Sequence, residues 1–282
     1  MSLKKACVIG HPVSHTRSPM IHGHWLKTYG LEGSYGREDI VPEAFSEFIA
    51  NRFRDTYIGG NVTLPHKEAI FKLLDRVLPR ANKLKAANTI WFENGKLIGD
   101  NTDSFGFLAN LDQLASGWDR NLKKAIVLGA GGACASVIAA LIERGAEEIY
   151  LVNRSRDKAK LMAERFPDVL IYIASFDDAA EVLKSTDILV NTTSLGMVGQ
   201  PDLAIDLVSL PFEAVVTDIV YVPLETELLK QARLRGNKTV DGLGMLLHQA
   251  RPGFERWFGK FPEVTPELRK LVEDDIMKAQ MR

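Results

Sequence analysis

The sequence predicts an α/β protein of two domains: an N-terminal α/β substrate domain with a mixed sheet and a Rossmann-type dinucleotide-binding domain, with C-terminal helices returning to the first. Short apolar runs alternate with helical patterns, a glycine-rich turn at 129–133 stands between a strand and a helix, and the pattern becomes purely helical beyond Gly244. The 282 residues suffice for two domains at about 100 to 200 residues each, and a 46% hydrophobic fraction can fill two cores.

In chain order, strands are expected at 6–10, 57–62 and 90–92, with helical patterns at 19–29, 42–51 and 67–77. Asn94-Gly95, between Trp91-Phe92 and Leu97-Ile98, reads as a two-residue hairpin turn, so one edge of the first sheet is expected to be antiparallel. Alternation resumes with strands at 125–128, 148–152, 170–173, 188–191, 214–218 and 239–240, a full dinucleotide-binding complement. The remainder reads as helix apart from a break at 259–262. The expected organisation is a substrate-binding and catalytic domain over 1–104, a nucleotide-binding domain over 105–243, and helices over 244–282 that pack on the first domain. There are no internal repeats or low-complexity segments.

The strand at 125–128 is apolar throughout, as suits a parallel strand buried on both faces. It runs into Gly129, Ala130, Gly131, Gly132 and Ala133, where the missing Cβ atoms leave room for a diphosphate and the next helix offers its backbone NH groups. Cys134, still small, stands where the usual fingerprint has a third glycine or alanine. The second strand ends at Asn153, about 24 residues past Gly129.

An NAD site places a carboxylate at that strand end to bind the ribose 2′-hydroxyl. Here stand Asn153, Arg154 and Ser155, with Arg156 and Lys158 close behind. A guanidinium grips a 2′-phosphate that a carboxylate would repel, so NADP is the expected cofactor. The competing reading, that the arginines merely solvate a helix start, is weakened because cations are disfavoured there.

With 35 basic and 36 acidic residues, no broad field points to nucleic acid or an anionic membrane, and a small molecule is the expected partner. Two cysteines suggest neither a disulfide framework nor a zinc site. His11 and His15 flank Pro12, His22 and His24 diverge on a helix, and no H-E-x-x-H pattern occurs, so no metal is expected. The start M-S-L-K-K-A-C-V-I-G is too poor in apolar residues for a signal peptide, and no apolar stretch is long enough to span a bilayer, so a cytoplasmic protein is expected.

Chemistry is expected in the cleft between the domains, near two polar segments that each follow a strand: N-V-T-L-P-H-K at 61–67 and G-D-N-T-D at 99–103. Lys67, in the first helical turn, sits where the macrodipole disfavours a cation, so its folding rationale is poor. It could exchange a proton with a substrate hydroxyl, oriented by a carboxylate such as Asp103. Asp103 reads equally as an N-cap for a helix over 104–114.

The combination of N-V-T-L-P-H-K, A-A-N-T at 86–89, G-D-N-T-D, G-A-G-G-A, N-T-T-S-L-G-M at 191–197, D-I-V-Y-V-P-L-E-T at 218–226 and G-M-L-L-H-Q at 244–249 resembles the shikimate dehydrogenase family, in the family's order and across nearly the whole chain. The resemblance implies an NADP-dependent enzyme that reversibly reduces 3-dehydroshikimate to shikimate in aromatic amino acid biosynthesis. Lys67 and Asp103 match its catalytic pair, with Lys67 exchanging the proton at the hydroxyl being oxidised. Asn88, Thr63 and Gln249 match contacts to ring hydroxyls. Thr16 and Ser18 match the two hydroxyl residues on the substrate carboxylate, and Tyr221 a phenol near it. Ile219 and Gly242 match positions beside the nicotinamide.

Plainer readings stand beside several of these. Ser18 before Pro19 reads also as an N-cap, Gln249 as a solvent-facing helix residue and Tyr221 as a packed aromatic. Shikimate-specific members of the family commonly carry serine at both carboxylate positions, whereas Thr16 occupies the first here, so a quinate/shikimate dehydrogenase is an alternative. Lys158 replaces a second phosphate-binding arginine, which leaves room for NAD as a secondary cofactor. A non-catalytic NADP-binding regulator is a further alternative, disfavoured by Lys67 and Asp103. The chain is expected to act as a monomer or homodimer.

Overall fold

Apolar runs such as Ala-Ile-Val-Leu and Ile-Leu-Val become the inner strands of two six-stranded sheets. The computed structural model describes residues 3–176 and 178–280, which fall into two compact units, one formed by the chain up to Thr102 together with that from Gln249 onward, the other by Asp103–His248. Met1 and Ser2 of the expected leaderless start, and the last two residues of the expected 244–282 helical segment, lie outside the described residues.

The first unit contains β1 (Lys5–Gly10), α1 (Ser18–Thr28), β2 (Ser34–Asp39), α2 (Phe45–Phe48), α3 (Arg54–Thr56), β3 (Gly59–Val62), α4 (Lys67–Phe71), β4 (Arg76–Val77), α5 (Pro79–Leu84), β5 (Thr89–Glu93) and β6 (Lys96–Asp100). Its sheet order is β2-β1-β3-β5-β6-β4. The Asn94-Gly95 hairpin is present, with φ of 52° and 76°, the positive values a primed turn requires. The antiparallel pairing is not at an edge as expected: β5 is antiparallel to both β3 and β6 and lies inside the sheet. Phe45, Phe53, Ile70 and Ile90 fill the core on one side.

Three further features of this unit depart from the sequence reading. The polar run Ser34–Asp39 is an edge strand, parallel to β1. The helix expected over 67–77 stops at Phe71, and Arg76–Val77 pairs with β6 instead. There Asp75 donates its NH to Leu97 O and accepts from Leu97 N, while Leu74 packs so closely on Gly99 that a Cβ on the glycine would lie 2.3 Å from it. Tertiary pairing thus overrides helical spacing. The segment Pro79–Leu84, with proline in its first turn, is an unexpected short helix.

The second unit contains α6 (Asp103–Leu114), β7 (Lys124–Leu128), α7 (Cys134–Glu143), β8 (Glu148–Val152), α8 (Arg156–Ala163), β9 (Leu170–Ala174), α9 (Ala179–Leu183), β10 (Ile188–Asn191), β11 (Val215–Asp218), α10 (Glu227–Arg235) and β12 (Lys238–Val240). All its strand pairs are parallel, in the order β12-β11-β10-β7-β8-β9, so the strand order reverses between β7 and β10. In such sheets ligands bind beyond the strand ends at this switch point.

Two helices close the chain, α11 (Leu243–Phe258) and α12 (Pro266–Gln280), and the division between units falls inside α11. The part from Gln249 onward is fastened to the first unit: Trp257 Nε1 donates to Ile90 O at 3.0 Å, Trp25 Nε1 to Glu263 O at 2.9 Å, and Arg17 pairs with Asp275 at 3.0 Å. Among the described residues no helix is long and apolar enough to cross a membrane.

Candidate functional site

In the first unit, the polar residues of the sequence motifs lie at the ends of β1, β3 and β6 and just before β5. The loop after β1 carries Thr16 and Ser18. It is tied to β2 at three points: His11 bonds the Asp39 carboxylate at 2.6 Å, Val13 N donates to the same carboxylate, and Arg37 donates to Thr16 O at 3.0 Å. The first two contacts hold the Asp39 carboxyl below its usual range. Thr16 Oγ1 donates to Ser18 Oγ at 3.2 Å. Ser18 is the first residue of α1, whose N-cap is Arg17 with no side-chain bond, so the capping reading of Ser18 does not hold.

Thr63 and Lys67 follow β3. Thr63 N donates to Ile9 O, and its methyl lies where a Cβ on Gly10 would stand at 2.4 Å, so Gly10 is the residue that lets the two loops meet. Lys67 is the half-buried first residue of α4, and its carbonyl accepts the NH of Ala87 at 3.0 Å, which joins it to the A-A-N-T segment. The neighbouring His66 is buried, stacked on Phe45 at 4.1 Å with Nε2 2.6 Å from Ile40 O, a structural histidine.

Asn88 is buried and its orientation is fixed. Its Oδ1 accepts from Thr89 Oγ1 and Thr102 N, each at 2.9 Å. Thr102 Oγ1 in turn donates to Gln249 O at 2.8 Å, which ties the half-buried Gln249 to the same cluster through its backbone. The structure therefore gathers Thr16 with Ser18, Lys67 with the segment before Asn88, and Asn88 with Gln249. Asn61, Thr89 and Thr102 were missed as site residues although they stand in the motifs. A polar side chain inside an apolar strand, as Asn61 is in β3, was the available signal.

In the second unit, Gly129 has φ of +94°, and a Cβ there would lie 2.7 Å from Thr193 Cγ2, so only glycine fits. Gly131 and Gly132 are exposed, Ala130 and Ala133 half-buried, and α7 begins at the buried Cys134. From the far side of the switch point Thr192 Oγ1 donates to Leu128 O at 2.8 Å. Asn153 Oδ1 accepts from Ala130 N at 3.1 Å, and its Nδ2 donates to Ser155 O at 2.7 Å, so Asn153 braces the glycine turn. Ser155 caps α8 with its hydroxyl on Lys158 N, while the side chains of Arg154 and Lys158 are exposed. A cradle that a Cβ would fill, helix NH groups ahead of it and an exposed guanidinium at the second strand end fit a dinucleotide with a 2′-phosphate.

Beyond β10 and β11 a buried carboxylate sets the loops. Asp218 accepts from Val220 N, Asn191 Nδ2 and Thr226 Oγ1 at 2.9, 3.0 and 2.8 Å; burial pushes its pKa up and these donors counter the shift. They fix the turn carrying the half-buried Ile219 and Tyr221, against which Gly242 packs. Asp103 is the buried first residue of α6, not a residue preceding the helix. Among the described residues no group of three or more His, Cys, Asp or Glu could hold a metal.

A doubly wound parallel sheet with a glycine turn at its switch point, in a chain whose other unit gathers buried hydroxyl and amide groups, defines the dinucleotide-dependent dehydrogenase class. The family model described as the shikimate dehydrogenase substrate binding domain matches residues 8–90, and that described as shikimate / quinate 5-dehydrogenase matches 113–198. Over 275 residues the chain is 53% identical to a shikimate dehydrogenase (NADP(+)) of Chelativorans sp. strain BNC1, covering 98% of each. The chain belongs to the shikimate dehydrogenase family. Its structure is similar to shikimate 5-dehydrogenase from Thermus thermophilus in complex with NADP(H) and shikimate, at 35% identity and TM-score 0.84, covering 97% of this chain and 100% of that one. It is similar also to quinate dehydrogenase from Corynebacterium glutamicum in complex with NAD, at 28% identity and TM-score 0.88, covering 96% and 99%.

Proposed function

We propose that this chain is an NADP-dependent shikimate dehydrogenase that reversibly reduces 3-dehydroshikimate to shikimate in aromatic amino acid biosynthesis. The observation that carries the reading is the 53% identity, across 98% of both chains, to a relative of that name. When bound, NADPH would supply the hydride, and NADP would take it up in the reverse direction. Gly129, Ala130, Gly131, Gly132 and Ala133 would receive its diphosphate, Arg154 with Lys158 its 2′-phosphate, and Ile219 and Gly242 would border the nicotinamide. Asn153 and Ser155 act by shaping that loop.

Thr16 and Ser18 hold the substrate carboxylate, with Tyr221 near it, while Thr63, Asn88 and Gln249 bind ring hydroxyls. Because Asn88 Oδ1 is committed within the protein, Asn88 meets a hydroxyl oxygen as a donor through Nδ2. Lys67 exchanges the proton at the hydroxyl being oxidised, with Asp103 as its carboxylate partner. We further infer a cytoplasmic enzyme with a small-molecule substrate and no nucleic-acid or membrane partner, working as a monomer or homodimer. The near balance of 35 basic and 36 acidic residues supports the reading that neither nucleic acid nor an anionic membrane is its partner. The test is shikimate-dependent reduction of NADP by the purified chain and 3-dehydroshikimate-dependent oxidation of NADPH. Failure of both reactions with folded protein would overturn the proposal.

A further inference from the structure

Buried side chains of the first unit form one directional run of hydrogen bonds. Tyr35 Oη donates to Asn61 Oδ1 at 2.6 Å. Asn61 Nδ2 donates to Thr89 Oγ1 at 3.2 Å and to Asn88 O at 3.1 Å. Thr89 Oγ1 donates to Asn88 Oδ1 at 2.9 Å. Separately, Thr16 Oγ1 donates to Ser18 Oγ.

Each hydroxyl has a single proton, and the shortest contacts give the direction of the run. The Tyr35 proton goes to Asn61, which makes that end of the Asn61 amide the oxygen. The NH2 end then faces Thr89, whose oxygen accepts and whose own proton has its shorter partner in Asn88 Oδ1 at 2.9 Å, Thr102 Oγ1 lying at 3.2 Å. With Thr102 N as its second donor, Asn88 Oδ1 has both lone pairs occupied. Thr102 Oγ1 also lies 3.1 Å from this oxygen, but its one proton has the shorter partner in Gln249 O at 2.8 Å. Tyr35 itself is held by His22, stacked flat on its ring at 4.0 Å, and by Trp257 at 5.8 Å. Tyr35, Asn61, Thr89 and Asn88 are all buried, so solvent cannot readily replace a missing link.

We infer that Tyr35 and Asn61 are positioning residues: through Thr89 they set the amide polarity of Asn88, so that the group offered to a substrate hydroxyl is ordered by a network reaching back to the edge strand β2. This rests on the assignment of Asn88 to a substrate hydroxyl. Neither residue touches the reacting atoms in this scheme, and Tyr35 lies in the strand that the sequence did not reveal.

The test is a double-mutant cycle read in kcat/KM for shikimate, with NADP affinity and thermal melting measured on every variant. Tyr35→Phe should lower kcat/KM about tenfold, the scale of one buried hydrogen bond, with NADP affinity unchanged. In an Asn88→Ala background the same substitution should cost less than about twofold, because its effect passes through Asn88. Thr89→Val, nearly isosteric and suited to a strand, should behave alike and serves if Tyr35→Phe fails to fold. Equal losses with and without Asn88, or no loss from either variant, would overturn the relay. If Asn88→Ala alone leaves kcat/KM unchanged, the substrate assignment of Asn88 fails and the inference with it. A loss from Asn88→Ala with additive Tyr35→Phe and Thr89→Val overturns the relay alone.

Discussion

Gly242 approaches the carbonyl of Ile219 so closely that a Cβ on the glycine would lie 2.3 Å from that oxygen and 2.7 Å from Val220 O. Since backbone carbonyls cannot rotate aside as a side-chain tip can, Gly242→Ala must displace the turn that Asp218 fixes. It should destabilise the protein by about 1 to 3 kcal/mol and weaken NADP binding, as thermal melts and cofactor titration would register. An alanine variant with wild-type melting and NADP affinity would remove this turn from the cofactor site.

Arg154, exposed at the end of β8, stands where NAD sites place an acid. Arg154→Asp removes a charge-assisted contact and adds a repulsion, so the NADP dissociation constant should rise about 100-fold or more while that of NAD changes far less. Equal losses for both cofactors would show that Arg154 does not read the 2′-phosphate.

Lys67→Ala should lower kcat by about 100-fold or more, the scale of lost general acid–base assistance, with NADP affinity almost unchanged. His66 cannot take over the proton, because it is buried with Nε2 on Ile40 O. Unaltered turnover would mean that another group moves the proton.

His22 lies fully buried among Trp25, Tyr35 and Phe254, and burial pushes its pKa from 6.5 down to about 3. The folded protein therefore binds fewer protons than the unfolded chain between those values, so the stability attached to this group is present above pH 6.5 and lost as pH falls toward 3. The slope from one such group approaches about 1.4 kcal/mol per pH unit. His22→Phe, which keeps an aromatic ring against Tyr35, should make denaturant stability less pH-dependent between pH 4 and 6. An unchanged slope would mean that His22 is not neutral in the fold.

Elements with unambiguous patterning were legible in the sequence. The apolar run of β7, the glycine turn and the apolar β8 predict the dinucleotide-binding unit because a parallel strand buried on both faces has few alternatives. Asn94-Gly95 gave the hairpin through its φ requirement. In contrast, Ser34–Asp39 was not legible as a strand: of S-Y-G-R-E-D only Tyr35 and Glu38 are buried, and Glu38 is buried against Arg52 and Tyr57. Motif spacing could locate Asn88 and Lys67 but not the hydrogen-bond direction between Tyr35 and Asn88, since residues 26 or more positions apart are joined by sheet pairing alone.

Steady-state kcat/KM for shikimate and for quinate, each with NADP and with NAD, tests the central claim most directly. Shikimate with NADP should give the highest value, with the loss on changing the cofactor traceable to Arg154 and the loss on changing the substrate traceable to the carboxylate end at Thr16 and Ser18. A higher value for quinate with NAD than for shikimate with NADP would contradict the account.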